Sequence, residues 1–310
     1  MRLRILTERL TTGWIVAISV TVMLLTAVVA AALVHRSLPI VEGHSLGALL
    51  GGSEWRPLEG KFGFRPFIVG TVWVTVLAMA LAVPVCLLAA IYLAEYARDA
   101  TRAIVRPLLD VLAGIPSVVH GLFGVLLLVP LVSDHLAPWA ARHLACLPGA
   151  TPQQGYSTGY CLLTGAIVLA MMVAPVIISI ADEVLRGVPV AMREASLAVG
   201  ATRWETVKHV SVRFAAPGLV ASVVLGFSRA FGETMAVLMV VGNVAMSPKS
   251  LFDPAYPLPA LIANNYGEMM SIPLYDSALL LAALILMVTV LAFNLLAQGV
   301  LVVARRRAAQ

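Results

Sequence analysis

The sequence predicts an all-α membrane protein with six transmembrane helices. Of its 310 residues, 60% are hydrophobic and only 12% are charged, which is more apolar surface than one soluble core of this size could bury. A spanning helix needs roughly 20 mainly apolar residues, because it rises about 1.5 Å per residue across a hydrocarbon layer about 30 Å thick. Six stretches meet this requirement, and they lie at 13–34, 68–93, 108–132, 162–180, 215–241 and 277–303.

The first apolar stretch follows Arg2, Arg4 and Arg9, as the core of a secretory signal would. It is longer than a typical signal core, however, and its only tolerable cleavage site, the alanines at 30–32, lies deep inside it. We therefore expect an uncleaved membrane anchor.

The distribution of lysine and arginine predicts the orientation, because these residues are enriched in cytoplasmic loops. With a cytoplasmic N-terminus, fourteen of the 21 fall on the cytoplasmic side, six fall outside, and Arg229 lies within a span. We expect a cytoplasmic segment at 1–12, a six-helix membrane domain at 13–304 and a basic cytoplasmic tail at 305–310. The net charge of +5 reflects this asymmetry and gives no reason to expect nucleic acid as a partner.

Three cysteines are too few for a disulfide framework, and no Cys-x-x-Cys pair indicates a redox centre or a zinc site. Cys146 and Cys161 both fall on the predicted outer side, where they are either bridged or free thiols. His135 and His143 near Cys146 are interpreted as ordinary loop residues, so no metal site is expected.

The stretch 182–213 is predicted to be a cytoplasmic loop containing two short helices. Gly200 separates two periodic runs, and glycine can adopt the left-handed conformation that ends a helix and turns the chain. Ala195 and Ser196 are small enough to let another surface approach closely, and Glu194 and Arg193 offer charge at its rim. We interpret the stretch as a docking element; the alternative is an amphipathic loop held on the membrane surface by its arginines.

Arg229 lies near the centre of the fifth apolar stretch, where a buried cation costs about 2.5 to 3.5 kcal/mol on insertion scales. Glu233 follows one helical turn later, so the two side chains are expected to form an ion pair within one helix, with the hydroxyls of Ser228 and Thr234 nearby. The planar fork of arginine suits oxyanions such as phosphate or sulfate. These four residues form the predicted substrate pathway; a purely structural ion pair is the alternative.

The loop carries a motif that resembles the EAA loop of ABC importer permeases. The residues are E-A-S-x-x-x-G, from Glu194 to Gly200, with serine in place of the second alanine. Val210, Val212 and Arg213 stand where that family has isoleucine, leucine and proline. The resemblance implies that Glu194, Ala195, Ser196 and Gly200 contact a cytosolic ATPase.

Further runs resemble the PstC family of phosphate permeases. They are R-A-F-G-E-T-M-A-V-L-M-V-V-G-N at 229–243, A-G-I-P-S-V-V-H-G at 113–121, W-R-P-L-E-G-K-F-G at 55–63 and S-L-F-D-P-A-Y-P-L-P-A-L-I-A-N at 250–264. The sister family PstA shares the proline motif and the G-E-T core but usually departs after it, so T-M-A-V-L-M favours PstC. His120 stands where tyrosine is more common.

This resemblance implies the type I ABC permease fold with a cytoplasmic coupling helix, in the bacterial inner (plasma) membrane. It also implies a function, which is to form the pathway for inorganic phosphate in an ATP-driven importer. The implied partners are the sister permease PstA, two copies of the cytosolic ATPase PstB and the periplasmic phosphate-binding protein PstS. Because the chain has no G-x-x-x-x-G-K-[ST] motif for nucleotide phosphates, we expect neither enzymatic activity nor a bound cofactor.

Four alternatives remain open. The chain could serve another oxyanion, namely sulfate, molybdate or phosphonate, which would also favour a buried arginine. It could be the PstA sister subunit. It could be a secondary anion transporter driven by an ion gradient, although the motif from Glu194 to Gly200 argues against this. A role in reporting phosphate status is neither supported nor excluded.

Overall fold

The computed structural model describes residues 2–143, 149, 158–268 and 272–308. Six helices within these ranges are long and apolar enough to cross a membrane, which confirms the predicted all-α architecture. In chain order, spans 1 to 6 are Thr11–Gly43, Arg65–Tyr96, Ser117–His143, Leu162–Arg186, Arg203–Phe231 and Tyr275–Gly299. The helix of span 1 begins at Arg2, and the helix of span 6 continues to Ala308.

The shorter elements lie between the spans. The helices are Leu46–Gly51, Asp99–Gly114, Val190–Ala198, Met235–Leu238 and Leu258–Asn265. The strands Trp55–Arg56 and Lys61–Phe62 form an antiparallel hairpin around the 3-10 turn Pro57–Glu59. We call Asp99–Gly114 the connector helix and Val190–Ala198 the loop helix. The bundle therefore has a loop-helix end, beyond Tyr96 and Arg186, and a hairpin end, before Arg65 and Leu162.

The core of the bundle is the contact between spans 2 and 4. Val74, Ala78 and Met79 of span 2 are buried with Val173 and Ile177 of span 4. Span 5 packs against the same pair through Gly226, where a Cβ atom would lie 2.6 Å from Ile177 Cδ1 and 3.4 Å from Met79 Cε. Small residues at such crossings let helix backbones approach closely, which stabilises helix association in a membrane.

The third span differs from the predicted stretch 108–132. Residues 108–114 belong instead to the connector helix, and the chain breaks at Ile115 and Pro116 before span 3 begins at Ser117. Proline disfavours the helical conformation at the residue before it, and Ile115 has ψ 129°. Span 3 then continues to His143 through two π-helical turns, Gly124–Leu128 and Val132–Leu136.

The fifth span also differs from its predicted stretch, 215–241. Its helix starts earlier, at Arg203, and stops at Phe231, after which Gly232, Glu233 and Thr234 are not helical. The short helix Met235–Leu238 then continues towards the hairpin end and packs against the start of span 3. A Cβ atom at Gly121 would meet the Sδ atom of Met239 at 2.6 Å. Span 5 is therefore a broken helix.

Candidate coupling loop and mid-membrane site

The loop between spans 4 and 5 is shorter than the predicted stretch 182–213, because 182–186 belong to span 4 and 203–213 to span 5. The loop helix within it is mostly exposed, and Arg193 and Ser196 are half-buried. It begins after Pro189, and none of its residues is buried in the described chain. The apolar side chains of Val190, Met192 and Leu197 are exposed, and so are the predicted docking residues Glu194 and Ala195. Exposed apolar side chains grouped on one helix are typical of a surface that binds another protein or a membrane.

Gly200 ends the loop helix, as the sequence predicts. Its φ angle is +90°, which side-chain-bearing residues rarely adopt, and no atom lies within 4 Å of where a Cβ would be. The amide of Gly200 donates to Leu197 O at 3.0 Å, and that of Ala201 donates to Ser196 O at 3.3 Å. These bonds satisfy the terminal carbonyls of the helix. The constraint at Gly200 is therefore its backbone conformation and not a lack of space.

Span 5 begins with a capping box directly after this turn. The Thr202 side chain accepts from the Glu205 amide at 3.3 Å, and Glu205 Oε2 accepts from the Thr202 amide at 2.8 Å. Ser196 and Thr206 share a hydroxyl hydrogen bond of 2.9 Å, which joins the loop helix to span 5. Ser196, predicted to permit close approach of a partner, is thus partly engaged within the chain.

Arg229 lies close to the middle of the bundle's thickness. Gly226, one turn before it, packs on Ile177, and Ile177 lies about 13 Å from the Arg186 end of span 4 at 1.5 Å per residue. The side chain of Arg229 is exposed and has no hydrogen bond or ion pair within the described chain. The structure thus places an unpaired guanidinium near the middle of the bundle, although Arg229 lies at the end of the span-5 helix and not at its centre as predicted.

The predicted ion pair between Arg229 and Glu233 is wrong. The helix ends between them, so Glu233 does not follow one turn later on the same face. Glu233 Oε1 instead accepts from the Ala236 amide at 3.1 Å and caps the short helix Met235–Leu238. A glycine at 232 favours this break, because glycine costs about 1 kcal/mol relative to alanine inside a helix. The Glu233 carboxylate is therefore engaged by the short helix, and no carboxylate of the described chain pairs with Arg229.

The two predicted hydroxyl residues have different surroundings. The Ser228 hydroxyl contacts Val224 O at 3.1 Å and Asn294 Oδ1 at 2.5 Å, so it joins span 5 to span 6. Thr234 lies in the non-helical break, where its hydroxyl is 3.5 Å from Gly232 O. Thr234 thus remains close to the break beside Arg229, whereas Ser228 is held in a helix contact. Sequence reasoning missed Asn294, although it is a rare polar residue in span 6.

Comparison with known proteins identifies the family. The family model "Binding-protein-dependent transport system inner membrane component" matches residues 83–309. The phosphate transport system permease protein PstC of Xylella fastidiosa strain Temecula1 is 36% identical over 92% of this chain and 90% of its own length. This chain belongs to the PstC permease family. A probable PstC of Methanocaldococcus jannaschii is 31% identical over 84% of this chain and 82% of its own. A probable ABC transporter permease, YqgH of Bacillus subtilis, is 36% identical over 83% of this chain and 78% of its own length.

A solved structure supports the fold assignment of this PstC family member. An inward-facing chain of the MetNI methionine ABC transporter superposes with a TM-score of 0.50, over 83% of this chain and 96% of the other, at 18% identity. The chain therefore has the type I ABC permease fold and is a multi-pass inner membrane protein. Members of this family act as transport subunits together with an ATPase and a substrate-binding protein.

Sequence reasoning missed an ionic cluster in this PstC family member. Asp182, which is buried near the end of span 4, accepts from Arg106 of the connector helix through Nε at 3.2 Å and Nη2 at 2.7 Å. Its other oxygen accepts from Arg186 Nε at 3.1 Å. Arg106 and Asp182 are far apart in sequence, so periodicity gave no signal. A single carboxylate thus fastens the connector helix to span 4.

The hairpin end carries exposed charges that pair with one another. Lys61 Nζ lies 3.0 Å from Glu54 Oε2, and Arg56 Nη1 lies 3.3 Å from Glu59 Oε1. The hydrogen bond and charge of Lys61 lower the pKa of Glu54, and the same contact raises the pKa of Lys61. Cys161 is a buried free thiol 3.4 Å from the Thr164 hydroxyl, and burial raises its pKa. Cys146 lies outside the described residues.

Proposed function

We propose that this chain forms, with the sister permease PstA, the membrane pathway of an ATP-driven importer of inorganic phosphate. The observation that carries this proposal is the unpaired guanidinium of Arg229 at mid-depth in a broken span. A cation at that depth is costly unless something compensates its charge. A passing oxyanion can do so, because it accepts paired hydrogen bonds from the guanidinium.

The break after Phe231 supports the same interpretation. Non-helical backbone at membrane depth is tolerated where it lies against protein or lines a water-filled cavity, and interrupted helices mark substrate sites in other transporters. Glu233 stabilises the break by capping the helix that follows. Because that carboxylate is engaged, it does not neutralise Arg229 in the empty pathway. Thr234 adds a hydroxyl beside the break and completes the proposed pathway with Ser228.

Transport would follow alternating access, in which ligand and nucleotide binding shift the population of states. The loop helix would face the cytoplasm and bind the ATPase PstB through Glu194, Ala195, Ser196 and Gly200. Both termini would then be cytoplasmic, with the terminal segments at 1–12 and 305–310 on that side. The hairpin end would face the periplasm and the phosphate-binding protein PstS. ATP would be hydrolysed by PstB, so this chain would act without catalysis or a cofactor of its own.

The proposal is tested in vesicles that contain this chain, PstA, PstB and PstS, with labelled phosphate uptake followed with and without ATP. Arg229→Gln should lower ATP-dependent uptake at least about tenfold, which corresponds to 1.4 kcal/mol. Arg229→Lys should retain part of the uptake, because it keeps the charge and loses the planar fork. The matched control is Arg213→Gln, which removes an exposed span-5 arginine with no contact in the described chain.

Three outcomes would contradict the proposal. Uptake at the wild-type rate by Arg229→Gln would assign Arg229 a structural role. Uptake that follows an imposed ion gradient without ATP would indicate a secondary transporter. Stronger inhibition of labelled-phosphate uptake by sulfate, molybdate or phosphonate than by unlabelled phosphate would indicate that another oxyanion is the substrate.

A further inference from the structure

The side chain of Arg193 turns inward from the exposed loop helix and contacts three spans. Its Nη2 atom donates to Leu185 O at the end of span 4, at 2.7 Å, and its Nε atom donates to Ser211 Oγ of span 5, at 3.3 Å. Nη2 also lies 3.1 Å from Glu95 Oε1, at the end of span 2; this contact is an ion pair and does not have hydrogen-bond geometry. Within the described chain, no other side chain of the loop helix forms hydrogen bonds or ion pairs with more than one span.

Glu95 is suited to hold this arginine. Its side chain is only 9% exposed, and a carboxylate at such a position is costly unless a cation compensates it. The main-chain oxygen of Glu95 also accepts from Arg203 Nη2, and the guanidinium of Arg203 lies 4.8 Å from the centre of the Tyr96 ring. Arg193 of the loop helix and Arg203 at the start of span 5 therefore both contact the last turn of span 2.

That last turn, Tyr92–Tyr96, is π-helical. Span 2 connects this turn to the middle of the bundle. Met79 lies 3.4 Å from where a Cβ at Gly226 would be, one turn before Arg229. A continuous packed path thus joins the loop helix, span 2 and the mid-membrane site.

We infer that Arg193 and Glu95 form the link through which movement of the loop helix is transmitted to span 2. The inference rests on the proposed function, because it assigns a positioning role to two residues behind the proposed ATPase-binding surface. Arg193 stays fixed to Glu95 when the loop helix is displaced, so the end of span 2 follows. Span 2 then shifts against Gly226 and moves the turn that carries Arg229.

The test compares ATP hydrolysis with labelled phosphate uptake in vesicles that contain the complete complex. Arg193→Gln and Glu95→Gln should each lower the phosphate taken up per ATP hydrolysed by about threefold or more, as coupling between residues in contact allows. Arg193→Lys should fall between these variants and the wild type, because lysine keeps the charge near Glu95 but cannot also reach Leu185 O and Ser211. The double variant should lose little more than either single variant.

Two control variants remove charge nearby without touching the link. Arg213 and Glu183 are exposed and have no side-chain contact within the described chain, so Arg213→Gln and Glu183→Gln should keep the wild-type ratio. Backbone hydrogen exchange of the purified complex gives a second measurement. Loss of the link should speed exchange of residues 190–198 and 92–96, while the core amides of span 4 stay protected.

The outcomes separate this inference from the proposed function. An unchanged uptake-to-ATP ratio in both Arg193→Gln and Glu95→Gln would overturn it. An equal loss in Arg213→Gln would also overturn it, since the effect would then follow surface charge alone. If the wild-type complex shows no ATP-dependent phosphate uptake, the proposed function fails, and the exchange rates of 92–96 decide whether Arg193 holds span 2.

Discussion

Asp182→Asn should lower the free energy of unfolding of the chain. The loss should be larger than for the corresponding Asp→Asn or Glu→Gln change at any other carboxylate of the loop-helix end. Asp182 has a side-chain exposure of only 5% and pairs with Arg106 and Arg186. Asparagine has nearly the same shape, but it offers one acceptor oxygen where the carboxylate offers two. Its NH₂ group would also face a guanidinium that can only donate. At least one arginine would lose its partner.

The cost can be bounded from the exposure of the partners. Breaking a fully buried ion pair by removing one side costs about 3 to 5 kcal/mol. Here Arg106 is 47% exposed and Arg186 is 32% exposed, so water can solvate part of what is lost. We therefore expect about 1 to 3 kcal/mol, the range for a charge-assisted hydrogen bond lost at a buried site. Arg186 Nη2 is already buried without a hydrogen-bond partner. The Arg186 side chain therefore has no nearby acceptor to replace the lost carboxylate oxygen.

The assay is thermal unfolding of the purified chain in detergent. A loss of 1 kcal/mol lowers Tm by about 2 to 4 °C in proteins of 150 to 250 residues and by less in a longer chain, so Asp182→Asn should unfold roughly 2 to 6 °C below the wild type. Glu183→Gln, at the exposed neighbouring position, is the control and should unfold with the wild type. Asp182→Asn combined with Arg106→Gln should lose less than the sum of the two, because neither partner is then left alone. A Tm for Asp182→Asn equal to that of Glu183→Gln would refute this reasoning.

Two further predictions concern glycines. Gly200→Val should abolish ATP-coupled uptake while membrane insertion stays intact, because a β-branched residue does not adopt φ +90° and the loop helix would be displaced. Gly200→Asn should retain part of the uptake, since asparagine tolerates positive φ. Wild-type uptake by Gly200→Val would exclude the docking role. Gly124→Val should lower the free energy of unfolding by about 1 to 3 kcal/mol, since its Cβ would lie 2.7 Å from Val168 Cγ2 and 2.8 Å from Val240 Cγ1. Thermal unfolding of Gly124→Val measures this loss, with Gly114→Val as the control, because no atom lies within 4 Å of where a Cβ at Gly114 would be.

Hydrophobicity and glycine chemistry were enough to predict the main architecture. Six apolar stretches identified six spans, because lipid exposure requires long runs of apolar residues and helical hydrogen bonding. The turn at Gly200 was also predictable, since a glycine between two helical patterns indicates a left-handed cap. The family resemblance of the loop and of the run from 229 to 243 pointed to the same permease family that the comparisons show.

Hydropathy did not predict where helices break inside an apolar stretch. The run from 215 to 241 is mainly apolar on both sides of the break, so a 20-residue window cannot detect that its helix ends at Phe231. Gly232 was the available signal, yet isolated glycines occur inside membrane helices too. The expected pair of Arg229 and Glu233 failed for this reason, because spacing of four residues implies proximity only while the helix continues.

Contacts between residues far apart in the chain could not be predicted from the sequence either. Arg193 looked like a charge at the rim of a docking surface, and its neighbour Glu194 indeed is exposed. The structure turns Arg193 inward to Glu95, almost 100 positions earlier in the chain. No local pattern distinguishes an arginine that faces a partner protein from one that fastens its own helix, since both stand on an amphipathic segment of the same period.

The broken span gives these features a common physical reason. A straight, continuous fifth helix could pair Arg229 with Glu233 internally, and the charge of the pathway would then be cancelled before any anion arrived. Ending the helix at Gly232 separates the two residues and commits Glu233 to the Ala236 amide. The guanidinium is left for an exogenous anion, while the chain bears the cost of a non-helical segment inside the bundle. Gly232→Ala should test whether the break keeps Arg229 available to an anion. By extending the helix, this variant should bring Glu233 towards Arg229. It should lower phosphate uptake without loss of thermal stability. Unchanged uptake, in a variant shown to keep its fold, would mean that the break serves packing and not the anion.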